Sequence, residues 1–386
     1  MDSNILAHNL RRLREARKLS QGEIAERSQL SRVAYGNIES GSSNPRVDTL
    51  LRIAEVLGVK MQELLVPVRI LKAVRFRALK KMTTREQILV DAARWLEDYS
   101  ELEKMLGKRV PYQLEPLAKE LGKKKRGPHR AREAAEAARK RLLENDDKSI
   151  RDICGLLEER AGVKVCAMPV ASDAFFGLSV AKSDGGPAIA VNVWDRISVE
   201  RWIFTAAHEL GHLLLHFDAF DVSESEENKD EEDEANQFAS HFLMPDDVFR
   251  QEWDEAHGQG LVDRVFKVKR IFRVSYRTVL YRLSQMEKYG SSIWVQFQVA
   301  YKARTGQPLL KSDEPHGATP QEFLASIVSS RAAEEPKRLE EDDFVEDRLS
   351  GLVREAFDRQ LISVSRAGEI LGLDLQKIRE RIASWV

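Results

Sequence analysis

One apolar segment, Ile203 to His216, constrains this chain more than any other. It sets three histidines and a glutamate among Phe204, Leu210, Leu213, Leu214 and Leu215. Within it His208, Glu209 and His212 form the pattern H-E-x-x-H. On an α-helix, residues four apart lie on one face, a turn above one another. Two imidazoles so placed share one metal ion at about 2.0–2.1 Å each. The glutamate beside the first histidine reaches the same side, where it can take a proton from water activated by the metal. The flanks make this a buried helix, and a buried polar stripe without partners would be costly. The stretch Arg201 to Phe217 therefore reads as a metallopeptidase-like zinc helix, with His208 and His212 as ligands and Glu209 as general base.

A chain of 386 residues exceeds one ordinary core and predicts two to four domains. With 32% charged and 42% hydrophobic residues it reads as a helix-rich globular protein. No run approaches the roughly 18 apolar residues that span a membrane. The start, Met1-Asp2-Ser3-Asn4, lacks the basic and apolar regions of a signal peptide, so a cytoplasmic location without a membrane partner is expected. Cys154 and Cys166 fit no metal spacing and read as small core residues. The formal net charge of −1 conceals polarity: residues 67–141 hold 21 basic and 10 acidic side chains, while residues 218–235 hold 10 acidic and one basic.

The first sixty-five residues read as short amphipathic helices. Ile5, Leu6, Leu10 and Leu13 mark a first helix ending near Lys18. Ser20 caps a second, Gln21 to Arg27, and a turn at Ser28-Gln29-Leu30 leads to a third, Ser31 to Glu39, ended by Gly41. A fourth, Val47 to Leu57, follows Pro45 and stops at Gly58. The succession Leu19-Ser20-Gln21, Ile24-Ala25, Ser31, Ile38-Glu39-Ser40-Gly41, Pro45, Leu50, Ile53-Ala54, Leu57-Gly58-Val59 and Leu64 resembles the Cro/repressor-type helix-turn-helix of the XRE family. The resemblance implies that the third helix enters the DNA major groove, with Ser31, Arg32, Val33 and Asn37 at the contact and Gln21 near a phosphate. Arg32 would pair with guanine and Asn37 with adenine, while Tyr35 and Ile38 face the packing.

After Pro67 comes the basic run Val68 to Lys81, then a helical pattern from Thr84 to about Leu106 whose apolar face holds Trp95, Leu96, Tyr99 and Leu102. Pro111 and Pro116 mark an irregular stretch, Lys123 to Pro128 a basic loop, and Arg130 to Leu143 a helix polar on most sides. This region reads as a basic helical connector, whose cations are candidates for DNA phosphate binding.

A helix from Ile150 to Leu157 precedes three candidate strands, Val163–Met168, Phe176–Val180 and Pro187–Val193. Two histidines leave zinc short of ligands. His216 lies about 12 Å along the helix axis from His208, too far to share the ion. The longer motif H-E-x-x-H-x-x-G-x-x-H fails because Leu215 and Asp218 stand at its Gly and His places. A carboxylate from the acidic stretch beginning at Glu231 is left to complete the set. Here Asn192, Arg201, Phe204-Thr205, the H-E-x-x-H segment, His216, Glu232, Glu234-Ala235-Asn236, Phe238-Ala239 and Leu243-Met244-Pro245 resemble the ImmA/IrrE-type metallo-endopeptidases, over about residues 150–290. The resemblance implies Glu232 as third ligand, with Glu234 the alternative, and Asn236 holding a ligand histidine in orientation. It also implies a small sheet beside the zinc helix, whose edge strand pairs with an extended substrate. Arg201 is a candidate support for the site. His241, Tyr276 and His216 read more readily as structural.

Residues 261–289 carry a further helix-turn-helix-like pattern, and Leu361 to Leu373 another beyond the polar stretch Ser312 to Pro320. The expected fold is multidomain and mainly α. It comprises an all-α lambda-repressor-like domain (1–66), a basic helical connector (67–145), an α+β zincin-like peptidase domain (146–290) and a helical C-terminal region (291–386). The resemblances imply a regulator that binds a double-stranded operator as a homodimer. Its Zn2+ site (Mn2+ being the alternative) would cleave a partner repressor or antitoxin-like protein. The competing reading is a DNA-binding repressor or antitoxin whose zinc domain senses a ligand or is structural; a structural zinc alone has no use for Glu209.

Overall fold

The computed structural model describes residues 3–17, 19–65, 67, 71–78, 85–143, 149–217, 220, 228–310, 314–315, 339 and 341–385. Most of the polar stretch Ser312 to Pro320, the acidic residues 221–227 and some of the basic run 68–81 lie outside them. Two compact units result, one from Met1–Leu71 with Lys80–Asp98, the other from Lys72–Leu79 with Tyr99–Val386.

The first unit is built from α1 (Ser3–Ala16), α2 (Gln21–Arg27), α3 (Arg32–Glu39), α4 (Val47–Leu57) and α5 (Met61–Leu65). Leu6, Leu10, Leu13, Ile24, Tyr35, Ile38, Leu50, Ile53 and Leu57 close its core. Ser20 and Glu23 form a reciprocal cap at the start of α2, and Gly58 takes the left-handed conformation (φ 61°) that ends α4. The buried Glu39 carboxylate joins three helices, accepting from Arg14 Nε at 2.7 Å and Gln21 Nε2 at 3.1 Å.

In the second unit a four-stranded sheet has the order β1-β3-β4-β2, from β1 (Val74–Ala78), β2 (Lys164–Met168), β3 (Phe175–Val180) and β4 (Ala188–Asn192). β2 and β4 run parallel, and the other pairs are antiparallel. The strand β1 corrects the reading of 67–145 as a helical connector. Its sequence Val-Arg-Phe-Arg-Ala alternates with period two, a pattern the basic residues disguise. Val74 is buried, and Phe76 stacks on Phe175 with ring centroids 5.0 Å apart. β3 is consequently no edge strand: β1 covers one side and β4 the other.

Helix α6 (Arg85–Leu106) contributes to both units. Helices α7 (Glu115–Leu121) and α8 (Pro128–Leu142) also belong to the body of the second unit. α8 carries a second face that its charged residues hide: Ala131, Ala134, Ala135, Ala138 and Leu142 are buried. This face packs on α11 (Lys229–Leu243), and the buried Arg139 donates to Phe242 O at 2.7 Å. The short α9 (Ile153–Gly155) runs into a π-helical turn, Leu156–Ala161. Behind α11 follow α12 (Asp246–Glu255), α13 (Leu261–Phe272), α14 (Tyr276–Ser284) and α15 (Ile293–Thr305). α15 packs on α13 and α14 and stacks Phe297 against Tyr276 at 5.5 Å, so the packed body continues past the expected boundary at 290. Among the described residues three more helices follow, Arg348–Asp358, Val364–Ile370 and Leu375–Ala383. No described helix is long and apolar enough to cross a membrane.

The helix α10 (Val199–Leu215) lies on the sheet, in contact with β3 and β4, and crosses α11 closely. Gly211 is what permits that crossing: a Cβ there would stand 2.9 Å from Phe238 Cδ1 and 3.4 Å from Ala235 Cα. Helix propensity alone favours Gly→Ala by about 1 kcal/mol. Overpacking a dense core costs about 1–3 kcal/mol. Gly211→Ala is therefore expected to lower the melting temperature, and a rise on thermal denaturation would contradict the tight crossing.

Glu158, on the π-helical turn, is fully buried and accepts from Tyr99 Oη at 2.9 Å. Burial pushes its carboxyl up to about 7, against the hydrogen bond from Tyr99. A raised folded value means the fold favours the protonated acid. Its contribution is complete below the ordinary value of 4.5 and is lost as pH rises through about 7. Glu158→Gln is expected to flatten the decline in stability over that window, measured by urea unfolding at a series of pH values.

Candidate metal centre and DNA-reading helix

The stripe on α10 places His208 and His212 one turn apart, both buried, with Nε2 atoms 3.0 Å from each other. Glu232, in the first turn of α11, closes the group: its carboxylate oxygens lie 3.2 Å from His208 Nε2 and 3.0 Å from His212 Nε2. These three are the one group of potential metal ligands of this kind among the described residues. Neighbouring ligands of a tetrahedral zinc stand about 3.3 Å apart given its bond lengths. The three separations fit that edge, and two imidazoles with one carboxylate are a zinc donor set with a position open. Burial tends to raise the Glu232 carboxyl, but its close contact with the His208 and His212 imidazoles overrides it and holds the group well below the carboxylate range. Burial likewise lowers His212, which favours the neutral imidazole a metal requires.

Around this group the buried Glu231 and Glu234 of α11 are paired as well, and Arg75 reaches both Glu231 and, at 3.8 Å, Glu232. Asn236, one turn after Glu232, places Oδ1 3.0 Å from His208 Nδ1. His212 Nδ1 lies 2.9 Å from His216 Nδ1, and His216 Nε2 lies 2.9 Å from Glu234 Oε2. Glu234 also accepts from Arg130 Nε at 2.7 Å and from Gly127 N at 2.9 Å. The alternative ligand thus points away from the cluster. Glu231 pairs with Arg75 and Arg126. Two cations of the basic region, Arg75 and Arg130, turn inward onto α11, and the half-exposed Arg126 pairs with it from the surface.

Glu209 is 1% exposed and faces β3 across Gly177. A Cβ on Gly177 would lie 3.2 Å from Glu209 Oε1, 2.7 Å from Thr205 Cγ2 and 2.9 Å from Ala190 O. The glycine therefore makes the room in which the carboxylate sits. Sequence reasoning passed over Gly177, although a glycine inside a strand signals close approach. Arg201 lies over the Phe176 ring at 4.5 Å, and together with Phe204, Asn236, Tyr281 and Trp294 it borders a cavity of ≈ 290 Å³ beside the cluster. His241 and Tyr276 are not brought to the site: His241 pairs with Asp246, and Tyr276 stacks on Phe297. Asn192 organises the turn after β2 and β4, accepting from Val170 N and Trp194 N.

In the first unit Ser31 caps α3, its hydroxyl accepting from Ala34 N at 3.1 Å. Arg32, Val33 and Asn37 are exposed, Val33 at 73%. At about 100° per residue they share an arc of roughly 140° in which the remaining position is Gly36. Gln21 is set differently, because its amide donates to Glu39 within the helical packing.

The family model of the IrrE N-terminal-like domain, Peptidase_M78, matches residues 158–284. The helix-turn-helix model HTH_3 matches residues 10–64. An uncharacterized HTH-type transcriptional regulator of Sinorhizobium fredii, y4dJ, is 38% identical over 63 residues, which are 16% of this chain and 82% of the relative. A Mycobacterium tuberculosis transcriptional regulator aligns over 50% of this chain and 52% of its own, with 16% identity and a TM-score of 0.25. Bacillus thuringiensis PlcR, solved with the peptide PapR7 and DNA, aligns over 98% of both chains with 13% identity and a TM-score of 0.17. Neither overlap defines a shared architecture. The chain belongs to the XRE-type helix-turn-helix transcriptional regulators and joins to that domain an IrrE-like domain of the Peptidase_M78 metallopeptidase family.

Proposed function

We propose that this protein is a DNA-binding regulator whose second unit is a zinc-dependent endopeptidase, cutting a partner repressor or antitoxin-like protein and so relieving repression. The observation that carries the reading is the meeting of His208, His212 and Glu232 on two helices, with Glu209 beside them on the sheet side. A zinc ion on those three residues supplies Lewis acidity toward a peptide carbonyl and toward water. Two imidazoles favour zinc over the harder manganese, which remains the alternative metal.

The chain's own residues do the rest. Glu209 takes the proton of the attacking water and delivers it to the leaving amine, the work of a general base turned acid. Gly177 keeps its carboxylate free to move between these tasks. Asn236 orients His208, and the cavity at Phe204 and Trp294 receives a substrate side chain next to the cut bond. On the DNA side, Arg32, Val33 and Asn37 read base edges of a double-stranded operator, bound as a homodimer on paired half-sites.

Two measurements test this. Metal-loaded protein is incubated with repressor and antitoxin-like proteins encoded beside its gene, in parallel with Glu209→Gln and Glu232→Ala. The wild type is expected to cut one of them. Glu209→Gln should keep its metal and lose about 10²–10⁴-fold in rate, as removal of a general base does. Glu232→Ala should emerge from desalting without metal. If the loaded wild type cuts none while operator binding survives, the peptidase reading falls.

Arg32→Ala is expected to weaken operator binding by about 1–3 kcal/mol and to relax preference at one base pair, by mobility shift at fixed salt. A uniform loss across unrelated DNA sequences would instead make Arg32 a phosphate contact.

A further inference from the structure

The histidine stripe of α10 does not end at the cluster. His208, His212 and His216 stand at steps of four, and the third, too far along the axis to share an ion with the first, reaches the second. We propose that His216 and Glu234, backed by Arg130, are positioning residues that fix His212 in the tautomer whose Nε2 lone pair faces the metal site. The proposal rests on the metal-centre reading above and adds to it a chain of four groups with one consistent placement of protons.

The argument is one of donors and acceptors. The two Nδ1 atoms of His212 and His216 lie 2.9 Å apart, so one carries a proton and the other accepts it. If His216 were the donor, neutral His212 would carry its proton on Nε2, aimed at His208 Nε2 3.0 Å away. A neutral His216 would then present an Nε2 lone pair to Glu234 Oε2 at 2.9 Å, placing two acceptors face to face, and an imidazolium would still leave the His212 proton on Nε2, where the metal must bind. Glu234 has no proton to resolve that conflict, because Arg130 binds both its oxygens and Gly127 N donates to one of them. The opposite assignment satisfies every group. Arg130 and Gly127 donate to Glu234, and His216 Nε2–H donates to Glu234. His212 Nδ1–H donates to His216 Nδ1, and His212 Nε2 is left as a lone pair among the ligands. His208 reaches the same state by a shorter route, through Nδ1–H to Asn236 Oδ1 at 3.0 Å.

Such outer partners hold a ligand ring in orientation and strengthen its basicity, and removing them costs about 10–100-fold in metal affinity. Burial adds to the requirement: His216 and Arg130 are 0% and 4% exposed, so water cannot substitute for either. The arrangement also explains why Glu234, two residues from Glu232, is no ligand. On a helix that spacing turns it roughly 160° away, toward α8.

The test uses the full-length protein and two probes, zinc and cobalt(II). Long-range 15N–1H spectra of the zinc-loaded wild type report the tautomers directly. The expected pattern is a protonated Nε2 on His216 and a protonated Nδ1 on His212. A protonated Nδ1 on His216, as neutral ring or imidazolium, overturns the proposal without any variant having to fold. Cobalt(II) titrations of wild type, His216→Leu and His216→Asn form the second arm. His216→Leu should bind about 10–100-fold more weakly with an altered visible band. His216→Asn, whose amide oxygen stands where Nδ1 stood, should recover most of the loss. Equal binding by wild type and His216→Leu overturns the relay while leaving the metal centre intact, as does equal loss in both variants with unchanged apo-protein melting. A wild type that binds neither metal overturns the metal-centre reading itself, and the relay with it.

Discussion

The close crossing of α10 and α11 at Gly211 is the constraint on which the site depends. A histidine stripe on one helix is chemically incomplete, because a straight helix offers two rings to one ion and no more. The completing carboxylate must come from a backbone near enough for a glutamate to span. With Ala235 Cα and the Phe238 ring occupying the place of a side chain at Gly211, the two helices approach closely, and Glu232 arrives over both imidazoles. The same approach carries Asn236 to His208 and Glu234 to His216. One missing methyl group thus determines three polar contacts.

Charge follows from that geometry. A helix that carries Asp230, Glu231, Glu232, Asp233 and Glu234 in succession after Lys229 would repel itself if buried unpaired. Acidic residues near a helix N-terminus gain from its dipole, yet that gain is about 1 kcal/mol or less per charge at the surface. Partners are needed, and they come from the basic region: Arg75 on β1, Arg126 before α8, and Arg130 on it. The opposite charge runs that cancel in the total therefore meet, at these three arginines, inside a single packed structure. The long sequence separations, over a hundred residues in each pair, are why composition alone left those cations on a solvated connector, with DNA phosphate as a candidate partner.

This separates what could be read from the chain and what could not. Local codes were legible: the Ser20 cap, the Gly58 stop, the α3 face with Arg32, Val33 and Asn37 outward, and the H-E-x-x-H stripe. Glu232 was reached through a family resemblance, since among five acidic residues in a row spacing alone does not choose one. β1 was hidden because its alternate positions are arginines, whose composition outweighs a period of two over only five residues. The alanine face of α8 was hidden for a related reason. Alanine is counted neither as strongly apolar nor as polar, and its value lies in letting α11 come close. The position of His216 depends on α11 being in place, so no pattern within α10 could assign it.

The pairing of β1 with β3 also changes how a polypeptide can reach the site. Under the proposed function, an exposed strand beside α10 would hold an extended substrate by main-chain hydrogen bonds. Here β3, the strand whose Gly177 faces Glu209, gives its backbone groups to β1 on one side and β4 on the other. Arg77 of β1 stands opposite Gly177 itself. Adding a strand at that place requires removing β1, together with the Phe76–Phe175 stack and the Arg75–Glu231 pair. The cavity bordered by Phe204, Asn236, Tyr281 and Trp294 imposes no such displacement, and Asn236 connects it to His208. Recognition through side chains in that cavity therefore conserves the packing that holds Glu232, whereas recognition through strand addition at β3 would loosen the arginine that neutralises its neighbour.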